Sequence, residues 1–393
     1  MKTLPPLRLT GASVLRGGEF VDSAVGIADG RIGDGTWPEV DLTGYLILPG
    51  IVDLHGDGFE RQIAPRPTAP FPIPLGLQGT DREAAACGIT TGWLAQSWSW
   101  EGGHRSPDYA EALMTALARY RDIGLTDLRV QIRCETHMVE SADRLIAAVG
   151  KHGVGYVIFN NHLDETLALA RTAPDVIAGW AKKAHVSVET FLARVEAARD
   201  EGPRVPRFLC SLAAAFDEIG VLYGSHDDPD GETRERYSLI GARICEFPLS
   251  RAAARAAKAV GDPVLMGAPN VVRGGSQSGN VAALSLIESG ECDILVSDYH
   301  YPALPAAAFH LTDLGMMPLA KAWAMISERP AALMRLSDRG RLEEGMSADL
   351  TVIDAETRQV EMTLVRGRVS HLSGRAATRL MAAAPTAALA AAE

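Results

Sequence analysis

His55 and Asp57 stand two positions apart at the end of the apolar run Leu48-Pro49-Gly50-Ile51-Val52-Asp53-Leu54. Alternate side chains of a strand share one face, so an imidazole and a carboxylate at this spacing point into the same cavity as the strand leaves the core. Such a pair can hold a divalent metal. It can equally close a buried strand, with a hydrogen-bonded histidine and an aspartate that starts a loop. The weight comes from later apolar runs, which end in Glu135, His162, His226, Glu246 and Asp298 and bring the imidazoles and carboxylates at strand ends to seven. Groups of these types suit one or two ions of zinc, manganese or iron, and zinc is the first choice. No thiolate cluster is present to build a structural zinc finger.

Ordinary structural uses stand beside each of these. His162 or His226 alone is a common kind of satisfied core histidine, and Glu246, just before Phe247-Pro248, could support ligands or enter a helix. Asp227 and Asp228 could cap the next helix, because aspartate is favoured there. His137 either joins the site or lies in a loop.

A second set of residues is shaped for negative charge. The segment from Asn270 to Asn280 places Arg273 among glycines and hydroxyls, including Ser276. Exposed backbone N–H groups and a forked cation there could cradle phosphate. Arg66, between Pro65 and Pro67, puts another cation on a stiffened loop after the first strand.

The elements that must position these groups follow from the pattern between residues 51 and 334. Short apolar strands end near residues 57, 94, 135, 162, 228, 248, 269 and 298, and helical stretches at 106–123, 187–200, 249–260 and 281–290 fill the gaps. Eight such units predict an α/β fold, a (β/α)8 TIM barrel whose active site lies at the carboxyl ends of the strands. No Gly-x-Gly-x-x-Gly turn follows the first strand to suggest a dinucleotide. Residues 1–50 and 335–375 instead carry short strands and tight turns, such as Arg16-Gly17-Gly18, Asp29-Gly30 and Arg366-Gly367, which predicts a small β-sandwich built from both termini. Residues 376–393 are an Ala-rich tail, expected as a frayed helix or a disordered end.

Composition narrows the partners. A formal charge of −11 on 393 residues argues against nucleic acid or an anionic membrane and leaves an anionic small molecule open, since a cleft can be locally positive. The five scattered cysteines lack any Cys-x-x-Cys pair and suit a reducing cytoplasm. Neither a secretion signal nor a run of about 20 apolar residues is evident.

At these residues the chain resembles the amidohydrolase superfamily and, within it, the ribose-triphosphate diphosphatases of the carbon-phosphorus lyase pathway. The resemblance is carried by Leu48 to Asp57, Pro65-Arg66-Pro67, Gly88 to Thr91, Arg133-Cys134-Glu135, Ser225 to Asp228, Glu246-Phe247-Pro248, Ile294 to Tyr299, and above all by Leu265 to Ala283. It implies metal-assisted hydrolysis of α-D-ribose 1-methylphosphonate 5-triphosphate to the 5-phosphate and pyrophosphate in phosphonate catabolism. By position it implies His55, Asp57, Glu135 and His226 as metal ligands and places Asp298 where a base would take a proton from water; His162, at the end of the fourth strand, is expected to complete the ligand set. Arg273, Ser276, Asn270 and Arg66 would bind substrate, and family habit suggests a homo-oligomer. No lysine ends the third or fourth strand to be carbamylated, so Glu135 is the expected substitute. Gln277 and the segment 163–206 depart from the family pattern and leave room for a rival reading, hydrolysis of a C–N bond by a deaminase or cyclic amidase. A barrel without chemistry is the remaining alternative.

Overall fold

The structure, a computed structural model, describes residues 3–66, 69–276 and 278–390. Eight parallel strands follow one another in chain order: β1 (Ile51–Gly56), β2 (Ile89–Trp98), β3 (Asp127–Glu135), β4 (Tyr156–Asn160), β5 (Leu222–His226), β6 (Cys245–Glu246), β7 (Val264–Gly267) and β8 (Ile294–Val296). Gly56 bridges in parallel to Asp298 just beyond β8, so the sheet closes on itself. The interior is plugged by Val52, Leu54, Trp93, Tyr156, Ile158, Ile244, Leu265, Ile294 and Val296. Helices cover the outside of this (β/α)8 barrel, as the alternating sequence pattern requires.

Asp53 fastens the seam where the last strand meets the first. Its buried carboxylate accepts from the Ser297 amide at 2.9 Å and the Ser297 hydroxyl at 2.6 Å. Gly56 has no room for a side chain there, because a Cβ would meet Ser297 Oγ at 2.9 Å and the Tyr301 ring at 2.8 Å.

The predicted helices appear with ends set by capping. Pro107–Tyr120 begins at Ser106, whose hydroxyl accepts from the Tyr109 amide, and Arg251–Ala259 begins likewise at Ser250. The helix after β5, Gly231–Leu239, is capped by Asp230. Asp227 and Asp228 therefore have other uses. Between β4 and the long helix Val205–Ile219, the helices Leu163–Thr172, Pro174–Lys183 and Val188–Asp200 form a lobe around Ile177, Phe191 and Val195.

Both termini build the accessory sheets. One has four strands and the other six, and in the larger sheet Tyr45–Pro49 pairs antiparallel with Leu350–Asp354, joining the two ends of the chain. The core shared by the two sheets contains Leu9, Val14, Ile27, Ile47, Val352 and Leu364. Three two-residue turns, Gly17-Gly18, Asp29-Gly30 and Arg366-Gly367, have positive φ at both positions, the conformation that matches the twist of paired strands. A helix, Gly374–Ala390, follows, and its first turn is docked: Ala376 is buried and its amide donates to Glu361. Among the described residues no helix is long and apolar enough to cross a membrane.

Candidate metal centre and active-site cavity

Strand β1 does not keep simple alternation to its end. Val52 and Asp53 pair with Thr91 and Gly92, but Gly56 pairs with Leu94, so a bulge inserts one residue between Asp53 and Gly56. Leu54 belongs to the apolar plug, yet His55, its neighbour, reaches the centre of the barrel. Beyond it opens a cavity of about 1030 Å³, whose walls include His55, Asp57, Arg133, His162, His226 and Asp298.

Glu246 lies beneath the first pair of imidazoles. Its Oε2 is 2.8 Å from His55 Nδ1 and 2.8 Å from His226 Nδ1, while Oε1 accepts from Gln131 at 3.0 Å and Tyr156 at 3.1 Å. The two rings stack at 5.2 Å, and each meets the edge of Phe247. Burial by itself would raise the Glu246 carboxyl, but His55 and His226 hold it well below the ordinary range. Burial likewise works against a charged His55, and the Glu246 carboxylate overcomes it and raises the imidazole. One carboxylate thus fixes the orientation of two histidines.

A second group lies across the barrel. His162 Nδ1 is 2.7 Å from Glu135 Oε1, Asn160 donates to the same oxygen at 3.0 Å, and the His162 amide donates to Glu135 Oε2 at 3.1 Å. Glu101 approaches His162 Nδ1 at 3.8 Å and is clamped by Arg105, with 3.1 Å to each oxygen. Among the described residues, His55, His226 and Glu246 form one set with ligand atoms within 4.8 Å of one another, and Glu101, Glu135 and His162 form another. Imidazole and carboxylate donors in these proportions fit a divalent metal, and the buried Asn160 Oδ1 beside the second set has no hydrogen-bond partner among the described residues.

Asp57 belongs to neither set of three. Its Oδ2 is 3.8 Å from Arg133, whose other nitrogen lies 3.1 Å from His226 Nε2. An arginine can only donate, so in this arrangement His226 Nε2 accepts and Nδ1 carries the proton given to Glu246; a cation bound at Nε2 would displace Arg133 from that lone pair. Arg133 follows from the alternation that points Gln131, Arg133 and Glu135 inward; of the three, only Glu135 stands at the strand end. Gln131, Tyr156 and Glu101 gave no sequence signal of their own, since each precedes the strand end or lies in the next loop.

Asp298 leaves β8 with a φ of 56°, and Asp227 and Phe247 take the same left-handed conformation just after β5 and β6. A non-glycine residue held there costs about 1–3 kcal/mol, and such residues cluster at functional sites. Burial, with the Asp57 charge behind it, pushes the Asp298 carboxyl up to about 7. Asp227 stays on the cavity wall, 3.4 Å from His226 Nε2. Asp228 is buried and accepts from Ser225 at 2.6 Å beside the fully buried Arg234.

The anion-binding candidates separate. Arg273 ends the short helix Ala268–Arg273 and reaches Tyr299 at 3.2 Å on the cavity wall, with Ser276 nearby on the same wall. Asn270 also lines the cavity, but its side-chain oxygen Oδ1 accepts from the Ala283 amide at 3.0 Å and so pins the far end of the loop. Arg66 is exposed and is not brought to the cavity. Gln277 and Pro67 lie outside the described residues.

Comparison with known proteins agrees with this architecture. Residues 300–371 match the amidohydrolase family model. The chain is 28% identical over 369 residues to the alpha-D-ribose 1-methylphosphonate 5-triphosphate diphosphatase of Escherichia coli (strain K12), covering 90% of this chain and 93% of that protein. Among solved structures, an N-acyl-D-glutamate deacylase from Bordetella bronchiseptica complexed with zinc and a phosphonate inhibitor superposes with a TM-score of 0.59 at 16% identity, over 94% of this chain and 96% of that one. The dihydropyrimidinase of Brevibacillus agri gives 0.61 at 13% identity, over 95% and 97%. At such identities the solved structures speak for the fold alone.

Proposed function

We propose that this chain, which resembles the amidohydrolase superfamily in fold and a ribose-triphosphate diphosphatase in sequence, is a metal-dependent hydrolase that releases pyrophosphate from a ribose 5-triphosphate. The observation that carries the reading is a single cavity holding both parts of the chemistry. Two buried imidazoles on one carboxylate lie at its floor beside Asp298, and the guanidiniums of Arg133 and Arg273 lie in its walls.

His55 and His226, oriented by Glu246, and Glu135 with His162 and Glu101, would hold one or two divalent cations. Such a cation supplies Lewis-acid polarisation of a phosphoryl oxygen and makes a bound water more acidic. Zinc suits the ligands best, with manganese or iron as the other candidates.

Asp298, with its carboxyl near neutrality, is poised to take a proton from the attacking water and return it to a leaving oxygen. Water adds to phosphorus, one phosphoanhydride P–O bond breaks, and the 5-phosphate and pyrophosphate separate. Arg273 and Arg133 offset the charge of the polyphosphate, the larger need in phosphoryl transfer because positioning and electrostatics dominate it. Ser276 and the loop around it would add neutral donors. The five unpaired cysteines suit a cytoplasmic setting.

Incubation of purified enzyme with the ribose triphosphate should release one pyrophosphate per monophosphate formed. Ring opening of a cyclic amide, or release of ammonia from an amino-substituted substrate, with no pyrophosphate from the triphosphate, would transfer the same machinery to C–N hydrolysis.

A further inference from the structure

At the opposite end of the barrel, under the amino ends of the strands, lies a second cavity of about 470 Å³. Its rim is formed by the barrel on one side and by the turn at Val365, Arg366 and Arg368 of the accessory sheet on the other. Among the described residues five arginines line it, Arg121, Arg129, Arg335, Arg366 and Arg368, against one carboxylate, Asp127. In a chain of net charge −11, so uneven a lining is a concentrated positive field.

Asp127 cannot neutralise it. That carboxylate is already shared among Arg129 at 2.8 Å, Arg339 at 2.9 Å and Arg366 at 3.5 Å. Arg121, Arg335 and Arg368 make no side-chain hydrogen bond or ion pair among the described residues. Beside them, His152 Nε2 is buried without a partner. The floor is Trp93, with the Arg129 guanidinium stacked 5.0 Å from its ring.

We propose that this cavity is a second anion site, separate from the catalytic one, that takes a small molecule carrying two or more phosphate groups. Forked guanidiniums are the natural partners of phosphate oxygens, and the volume is that of a small-ligand pocket. Bound there, the anion joins the barrel strands to the turn at Arg366 and so stiffens the junction between barrel and accessory sheets. This inference does not depend on the identity of the reaction.

The test is hydrogen exchange of the intact, metal-loaded protein with and without pyrophosphate, and separately with ATP, beside the triple variant Arg121→Gln, Arg335→Gln, Arg368→Gln. None of the three substituted residues belongs to the catalytic cavity. At least one of the two anions should protect the peptides spanning 121–130 and 365–369, in addition to any protection near 270–280, and should raise the Tm. In the variant, affinity at the first two peptides should fall at least tenfold, with the anion-free Tm and basal turnover unchanged. Added salt should weaken the same binding. Protection confined to 270–280 with both anions, or equal protection of 121–130 in the variant, would overturn the proposal.

Discussion

The amide of Asp298 donates to the carbonyl of His55 at 2.9 Å, and the Asp57 amide donates back to the Asp298 carbonyl at the same distance. The closure of the barrel and the assembly of the site are therefore one event. The residue we assign as base is held by the backbone of the first imidazole, and any loosening of the seam between β8 and β1 displaces both.

Replacement of Asp298 by Asn should leave the fold and metal content intact and reduce kcat by about 10²–10⁴, the usual contribution of a positioned acid-base group. Metal content by elemental analysis, measured beside turnover, separates this role from ligation. Loss of metal in the variant would make Asp298 a ligand first.

Glu246→Gln removes the charge that orients two rings. Metal affinity should fall about 10–100-fold, as for other groups that fix ligand histidines. Titration of the apo protein with zinc gives the measurement, and an unchanged affinity would remove Glu246 from the centre.

Dialysis against a chelator should abolish turnover, and re-addition of zinc, manganese or ferrous iron should restore it to differing extents. Turnover that survives complete removal of metal, checked by elemental analysis, would sink the proposed chemistry.

For Arg273, truncation to Ala should raise KM for a polyphosphate substrate by about 10–100-fold, the loss of one or two charge-assisted hydrogen bonds. A neutral substrate should be nearly unaffected. Steady-state kinetics with both kinds of compound makes the comparison.

Asp354 offers a check on stability away from the site. Its carboxylate accepts from the Glu356 and Thr357 amides at 3.0 and 2.8 Å and pairs with Arg375, and these bonds lower its carboxyl to about 2, backbone donation from Thr357 foremost. A carboxyl depressed on folding adds stability that is fully present above its unfolded value and is lost as pH falls through the folded one. Asp354→Asn should cost about 1–2 kcal/mol near pH 7. The difference from the unsubstituted protein should shrink between about pH 4 and 2, as followed by denaturant unfolding.

Much of the architecture was legible because it rests on local periodicity. Apolar runs such as Tyr156 to Asn160, followed by helical stretches, specify βα units whatever surrounds them, and paired glycines at 17 and 18 specify a hairpin. The polar residue that ends a strand is equally visible, which is why His55, Glu135, His162, His226 and Asp298 could be singled out from the chain alone.

How those residues group was decided only in three dimensions. Alternation alone predicts that His55 faces away from Leu54, and the bulge against β2 overrides it. Contact across the barrel divides the candidate ligands into two sets, draws Glu246 beneath both imidazoles and leaves Asp57 facing Arg133. Such outcomes depend on the register between strands distant in sequence, and register is a property of the closed sheet that no single strand encodes.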